Sequence, residues 1–227
     1  MPTTFSSLFT RYVLSSFLKQ FHLCDLVGES AWRFDVPTGT LSFGDDIHWH
    51  AEILGTESDE TQTWLWAWAN TGSNLPAALV QASPEMKDLG EEQQIPELTE
   101  PQPALTEDVN GHVLSLIASG VCDADAYYRG PYDGGAVFLL IKDAKFPRSN
   151  ESPLARLATV FPQAISTFSI ADHRLALKSY LDGAGIAHVK EGNAVIVKEG
   201  RETVLMATFD KQNRLTNLEA TLKGGKG

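Results

Sequence analysis

The sequence predicts an α+β fold, in which helices flank an antiparallel sheet and a helix-helix-three-strand part closes the chain. Three patterns indicate this class. Apolar residues recur at every fourth position from Phe5 to Phe21, which is helical spacing with one apolar face. Residues 31–70 contain four short strand-like runs divided by turn residues, and such short connections make neighbouring strands antiparallel. Residues 193–222 contain three further strand-like runs.

The segment 62–70 is expected to form the strand on which the sheet is centred. Trp64, Trp66 and Trp68 stand at alternate positions, and residues two apart in a strand point to the same face. The indole rings therefore form one aromatic wall, with small and aliphatic residues on the opposite face. Such a strand is typically covered on both faces, so we expect the rings to lie in the core rather than on an open stacking platform.

The other elements follow from periodicity, helix caps and turn residues. The predicted helices cover residues 5–21, 75–89, 106–119, 152–161 and 172–182. The predicted strands cover residues 32–35, 40–43, 47–54, 62–70, 126–129, 136–142, 193–198, 203–209 and 215–222. We expect Thr106 and Asp172 to cap their helices, and Pro84 to interrupt the helix that contains it.

Charge is distributed unevenly on the two sides of the polar segment 146–152, which is the expected boundary of the N-terminal region. Residues 1–150 carry 8 Lys and Arg against 21 Asp and Glu, whereas residues 151–227 carry 10 against 8. The acidic N-terminal region disfavours a nucleic-acid partner, because it has no attraction for a phosphate backbone. It suits a basic protein partner and also plain solubility, which is the commoner reason for an acidic surface. We expect both regions to form one continuous architecture.

The composition favours a soluble cytoplasmic protein that has no cofactor. No apolar run approaches the roughly 18 residues of a bilayer-spanning helix. Residues 5–21 are apolar, but Arg11 and Lys19 interrupt them, which is not typical of a secretion signal. Cys24 and Cys122 belong to no paired motif, and this usage suits a reducing compartment.

One candidate metal site lies on the third predicted strand. Asp46, His48, His50 and Glu52 alternate with apolar residues and would share one face of the strand. Two neighbouring imidazoles with a carboxylate are a ligand set typical of zinc or iron. The alternative is that this alternation marks a half-exposed strand and nothing more.

The candidate ligand-binding residues are Trp68, Asn70, Tyr128, Arg129, Tyr132 and Asp133. Arg129 stands between tyrosines beside a loop of proline and glycine, and a guanidinium offers a planar fork to a carboxylate or phosphate. Asn70 would mark the rim of a pocket beside Trp68. In the alternative interpretation, Arg129 pairs with an acidic side chain such as Asp133 and braces the turn.

Three stretches of the sequence form a recognisable signature. They read Gly55-Thr56-Glu57-Ser58, Thr63-Trp64-Leu65-Trp66-Ala67-Trp68-Ala69-Asn70 and Tyr127-Tyr128-Arg129-x-Pro131-Tyr132-Asp133-Gly134-Gly135-Ala136. Together they resemble a family of uncharacterised bacterial proteins, a domain of unknown function, over most of residues 25–220. The resemblance implies a bacterial origin and an intracellular setting, and it brings no catalytic residue. His48 and His50 lie outside it, which weighs against the metal hypothesis.

The leading hypothesis for function is a non-enzymatic cytoplasmic binding protein whose acidic surface faces a protein partner, as in an immunity-like or regulatory protein. The sequence lacks the G-x-S-x-G, G-x-x-x-x-G-K-[ST], G-x-G-x-x-G and H-E-x-x-H motifs. The alternative is a small-molecule-binding protein or enzyme with a pocket around Trp68, Asn70 and Arg129. A metal-dependent hydrolase that uses His48 and His50 ranks third.

Overall fold

Two antiparallel sheets and six helices make up residues 3–221, which are the residues that the computed structural model describes. The helices are α1 (Phe5–Val27), α2 (Ala82–Gln93), α3 (Pro96–Thr99), α4 (Gly111–Val121), α5 (Pro153–Thr167) and α6 (His173–Gly183). The first sheet contains β1 (Trp32–Asp35), β2 (Thr40–Phe43), β3 (Ile47–Ser58), β4 (Thr63–Trp66), β5 (Ala126–Tyr132) and β6 (Gly135–Ile141). The second sheet contains β7 (His188–Glu191), β8 (Ala194–Glu199), β9 (Glu202–Phe209) and β10 (Leu215–Ala220). The α+β class with antiparallel sheets is confirmed.

The first sheet is organised around β3. Along one side of this strand, β2 pairs with its first half and β4 with its second half. Along the other side runs β6, and β5 lies outside β6. The sheet is therefore centred on β3, whereas the sequence had placed the tryptophan-bearing strand at its centre.

The tryptophan-bearing strand β4 is shorter than expected. It ends at Trp66, and the chain then forms a 3-10 helix over Ala67–Ala69. A longer β4 would run along β3 past Gly55 toward His50, where β2 is already paired. Residues 52–54 of β3 lie between these two pairings and pair with neither β2 nor β4.

The three tryptophans therefore differ in burial and in the element to which they belong. Trp64 and Trp66 are fully buried, and their rings meet edge to face with 5.4 Å between centroids, so their expected place in the core is confirmed. Trp68 leaves the strand and is only half-buried, and its backbone N–H donates to the Ser83 hydroxyl at 3.1 Å.

A bulge in β3 brings two glutamates onto one face of the sheet. The register against β6 shifts immediately before Gly55, so Glu52 and Glu57 face the same side although an odd number of positions separates them. Glu52 accepts the backbone N–H of Ala82, the first residue of α2, at 2.8 Å. Glu57 accepts the backbone N–H of Gly111, the first residue of α4, at 2.6 Å. Each carboxylate thereby satisfies a helix N-terminal donor and complements the helix dipole.

The helix α1 joins the first sheet to the C-terminal helices. A capping box between Thr4 and Ser7 starts it, and it packs against α4, α5, α6 and β5. The side-chain amide of Gln20 bonds to the backbone of Tyr127 in β5, with 2.7 Å to the carbonyl oxygen and 3.1 Å to the amide nitrogen. The helix thereby covers part of an outer strand that would otherwise be open. None of the helices in the described part of the chain has the length and apolar character needed to cross a bilayer.

Two hydrophobic clusters lie on opposite faces of the first sheet. The larger one includes Phe5 in α1, Trp64 in β4 and Phe209 in β9, so it receives side chains from both regions of the chain. The smaller one is built around Phe43 and Trp49.

The start of α4 differs from its sequence prediction. Asn110 is the N-cap and accepts the backbone N–H of Val113, so the helix begins at Gly111. The predicted cap, Thr106, instead accepts the backbone N–H of Val109 in a turn. Both residues have side chains suited to capping, and the helix begins where the backbone N–H of its first residue, Gly111, donates to Glu57.

Other boundaries shift by similar amounts, since α2 begins at Ala82 rather than at residue 75 and α5 ends at Thr167 rather than at residue 161. Pro84 lies in the first turn of α2, where a missing N–H costs no hydrogen bond. The helix α5 continues past Pro162 because its buried face extends to Ala164. Asp172 caps α6 as expected, and β7 has no counterpart in the sequence prediction. Residue 222, the predicted end of the last strand, lies outside the described residues.

Two glycines make room for the aromatic core between β3 and α4. A β-carbon on Gly55 would lie 2.3 Å from Cζ2 of Trp64, and one on Gly111 would lie 2.3 Å from Cζ of Phe138. The rings of Trp64 and Phe138 are themselves packed with 5.3 Å between centroids, so neither can retreat without a cost in packing.

Replacing Gly111 by Ala should destabilise the protein by about 1–3 kcal/mol, because the added methyl group overpacks against Phe138. In most helices the same change is stabilising. Gly183→Ala is the matched control, since nothing lies within 4 Å of a β-carbon there. Urea unfolding followed by tryptophan fluorescence measures both variants. Equal stability of Gly111→Ala and the natural chain would contradict this account of the α4–β6 contact.

Candidate functional site

A cleft of about 990 Å³ opens between α1, the segment that leads into α4, β5 and the loop after α5. Its apolar wall contains Phe5, Phe9, Phe17, Leu23, Val27, Val109, Val113 and Phe168. Phe168 meets Phe9 and Phe17 edge to face, with 5.6 Å and 5.3 Å between ring centroids. The wall is therefore preformed by aromatic packing between α1 and the loop after α5.

Charged groups line the cleft unequally. Glu97, Glu107 and Asp108 contribute carboxylates, and Arg129 is the single Lys or Arg among the described lining residues. Arg129 is half-buried and forms no ion pair within 4.0 Å with a carboxylate of residues 3–221. The brace to Asp133 that the sequence allowed is thus not formed within the described chain.

A hydrogen bond between His112 and Tyr127 crosses the polar side of the cleft. Nδ1 of His112 lies 2.8 Å from the hydroxyl of Tyr127, whose side chain is buried. Burial raises the pKa of Tyr127, so its hydroxyl stays protonated at neutral pH and can donate to the imidazole. His112 is solvent-exposed within the cleft, where partial desolvation lowers its pKa, Glu57 opposes this shift and Arg129 adds to it.

The position of the His112–Tyr127 pair depends on Glu57 in β3. Glu57 fixes the backbone of Gly111, and the next residue, His112, then faces β5. The ring of His112 also meets Phe138 edge to face, with 5.4 Å between centroids. The imidazole and the hydroxyl can each donate a hydrogen bond to a ligand or accept one, so the pair places polar groups beside the aromatic wall of the cleft.

Of the six ligand-binding candidates predicted from the sequence, the cleft contains two, Tyr128 and Arg129. Trp68 and Asn70 belong to the segment after β4, which β3 and β6 separate from β5. There the ammonium group of Lys87 lies 4.8 Å from the centre of the Trp68 ring.

Tyr132 and Asp133 lie exposed at the tip of the β5–β6 hairpin. Tyr128 packs against Trp32 and Phe43, with centroid distances of 5.6 Å and 4.8 Å, so its ring also belongs to the smaller core. The structure therefore divides the predicted set among the cleft, the hairpin tip and the far side of the sheet.

Sequence reasoning missed His112, the aromatic wall and the acidic rim. A single histidine near a helix start carries no recognisable motif. In the sequence, Glu107 and Asp108 were explained as acidic residues that stabilise a helix N-terminus. The phenylalanines of α1 were explained as core residues. Only the tertiary arrangement shows that these groups share one cleft.

Two of the three metal candidates, His48 and Glu52, are engaged in structural side-chain contacts, and the backbone N–H of the third, His50, donates to Asp143 at 2.8 Å. The ring of His48 lies 2.9 Å from both the Ser42 hydroxyl and the Asp45 carbonyl oxygen. Glu52 holds the first turn of α2, and one of its oxygens lies 3.8 Å from the Lys142 ammonium group. Residues 3–221 contain no group of three His, Cys, Asp or Glu side chains arranged to hold a metal ion.

The fold and the cleft together define an α+β protein with a preformed, largely apolar cleft bordered by carboxylates. The chain belongs to a family of unknown function, DUF6882, whose family model matches residues 6–144. No curated protein and no solved structure matches the chain. The matched segment contains α1 to α4 and the whole first sheet, and hence every wall of the cleft except the loop after α5.

Replacing Glu52 by Gln should lower the free energy of unfolding by about 1–2 kcal/mol, since a charge-assisted bond to the α2 N-terminus becomes a neutral one. Glu60→Gln, an exposed change of equal charge, is the control and should stay within about 0.5 kcal/mol. Chemical denaturation gives both values. A Glu52→Gln variant as stable as the control would show that this carboxylate does not hold α2.

The imidazole of His112 should titrate below its ordinary pKa of 6.5. Its folded form then binds protons less readily than the unfolded form, so His112 contributes a loss of stability as the pH falls below 6.5. The ring proton signals in an NMR titration report the midpoint. Arg129→Gln should raise that midpoint, whereas Arg33→Gln, an exposed change on β1, should leave it in place. A midpoint above 6.5 in the natural chain contradicts this environment.

Proposed function

We propose that the chain is a non-enzymatic cytoplasmic binding protein whose cleft holds an apolar segment of a basic protein partner. The observation that carries this proposal is the cleft itself, where an aromatic wall lies beside three carboxylates and one cation. Apolar anchors supply most of the affinity of a protein interface, and complementary charge supplies orientation and encounter rate.

The size and charge of the surrounding region support the same function. A volume of about 990 Å³ accommodates several side chains of a bound segment. The cleft lies mostly within residues 1–150, where acidic residues outnumber basic ones by 21 to 8. A partner with the opposite charge is attracted to this region from a distance set by ionic strength.

A small-molecule-binding function is the second candidate. The observation that favours it is the position of Arg129, a half-buried cation beside Tyr128 that has no carboxylate of residues 3–221 within 4.0 Å. A ligand with an apolar body and an anionic group fits the same wall and the same cation.

Neutralising the rim with the double change Glu107→Gln and Asp108→Asn should weaken binding of a cationic apolar peptide roughly three- to tenfold at low salt, because each exposed charge contributes modestly. The probe is a synthetic peptide in which lysine alternates with leucine or phenylalanine. Fluorescence anisotropy at low and high salt should show a shallower salt dependence for the variant.

The matched control is the double change Asp59→Asn and Glu60→Gln, which removes the same charge from an exposed turn away from the cleft. It should bind like the natural chain. Equal weakening in both variants would show attraction to overall charge alone. A second peptide, with serine at its apolar positions, should not bind. If it binds as well as the first peptide, the aromatic wall does not contribute to binding.

A further inference from the structure

The charges lining the cleft pose a problem for a purely basic ligand. Three carboxylates attract it, but the guanidinium of Arg129 lies in the same cleft and repels it. Half-burial makes this repulsion stronger than it would be on an open surface. A ligand that fits the whole cleft therefore carries cationic groups and one anionic group.

The backbone of Arg129 also faces outward from the sheet. Tyr132 and Gly135 close the β5–β6 hairpin around a two-residue turn, so they form a hydrogen-bonded pair, and alternate residues of β5 then point away from β6. Tyr127, Arg129 and Pro131 are these outward residues. The Gln20 amide occupies the backbone groups of Tyr127, which confirms the alternation independently.

Arg129 thus presents two kinds of donor at one edge of the cleft. Its guanidinium provides a planar fork, and its backbone N–H points in the outward direction of an edge strand. Backbone N–H groups are donors that proteins use to capture a terminal carboxylate, and arginine binds carboxylates through two parallel hydrogen bonds.

We infer that Arg129 receives the C-terminal carboxylate of the bound partner segment. This inference rests on the proposed function, because it takes the partner to be a basic polypeptide. Such a chain carries one anion whatever its side chains are, namely the carboxylate at its end. The occupant of the cleft is accordingly the last few residues of the partner, with apolar side chains on the aromatic wall and cationic side chains near Glu107 and Asp108.

Matched pairs of synthetic peptides test this inference on the intact chain. Each pair has the same alternation of lysine with leucine or phenylalanine and differs only at the C-terminus, which is a free carboxylate or an amide. The free acid should bind about tenfold more tightly than the amide, in line with loss of a charge-assisted bidentate contact. Isothermal titration calorimetry at low salt gives both dissociation constants.

Substitutions of Arg129 test whether this residue causes the difference in affinity between the free acid and the amide. Arg129→Gln should remove the difference between acid and amide, and Arg129→Lys should restore only part of it because an ammonium lacks the fork. Arg33→Gln, which removes the same charge from an exposed position on β1, should preserve the full difference. Equal thermal unfolding midpoints of the variants establish that each one is folded.

The possible outcomes distinguish failure of the Arg129 inference from failure of the proposed binding function. If acid and amide bind equally well and both depend on Glu107 and Asp108, the terminal carboxylate is not the ligand group and the binding function stands. If neither peptide binds while decanoate binds in an Arg129-dependent manner, the carboxylate belongs to a small molecule and both are overturned. A difference that survives in Arg129→Gln places the carboxylate elsewhere and also overturns the inference.

Discussion

The bonds from two β3 carboxylates to two helix N-termini are the constraint on which the rest of the fold depends. Glu52 holds α2 and Glu57 holds α4, and both face the same side of the sheet because a bulge corrects their spacing. Without the bulge, one carboxylate would point into the smaller core on the opposite face. A local irregularity in one strand therefore sets the positions of two helices.

The geometry of the cleft depends on the bond between Glu57 and the start of α4. Glu57 fixes the first residue of α4, and the next residue, His112, then reaches the Tyr127 hydroxyl in β5. The segment immediately before α4 carries Glu107 and Asp108 into the rim. Because α4 starts at the sheet, the acidic rim and the polar pair are held at fixed positions relative to the aromatic wall of α1. Rigid placement of this kind reduces the entropy lost when a ligand binds.

The sequence predicted those features that local patterns encode. The apolar face of α1, the turns between β1, β2, β3 and β4, and the cap of α6 at Asp172 all follow from spacing and turn chemistry. Arg129 was identifiable because it stands between tyrosines beside a glycine-rich turn. Each of these signals lies within a few neighbouring residues.

The features that escaped prediction depend on distant residues. Trp68 continues the alternation of β4, yet the chain leaves the strand after Trp66 and forms a 3-10 helix in which the Trp68 N–H donates to the distant Ser83. Thr106 and Asn110 both have side chains that can cap a helix, and the helix begins after Asn110, where the Gly111 N–H donates to the distant Glu57. The cleft has the same origin, since its four walls come from segments far apart in the chain. No window of sequence contains that information.

The placement of α1 has a consequence for how the chain is made. This helix is synthesised before the elements that it packs against most extensively, namely α4, α5, α6 and β5, all of which follow the first four strands. On the ribosome, its apolar face emerges before any of these partners exists. Its contacts with α4, α5 and α6 join residues far apart in the sequence, and closing such long loops costs chain entropy. The segment that forms one wall of the finished cleft therefore depends on parts of the chain that are made after it.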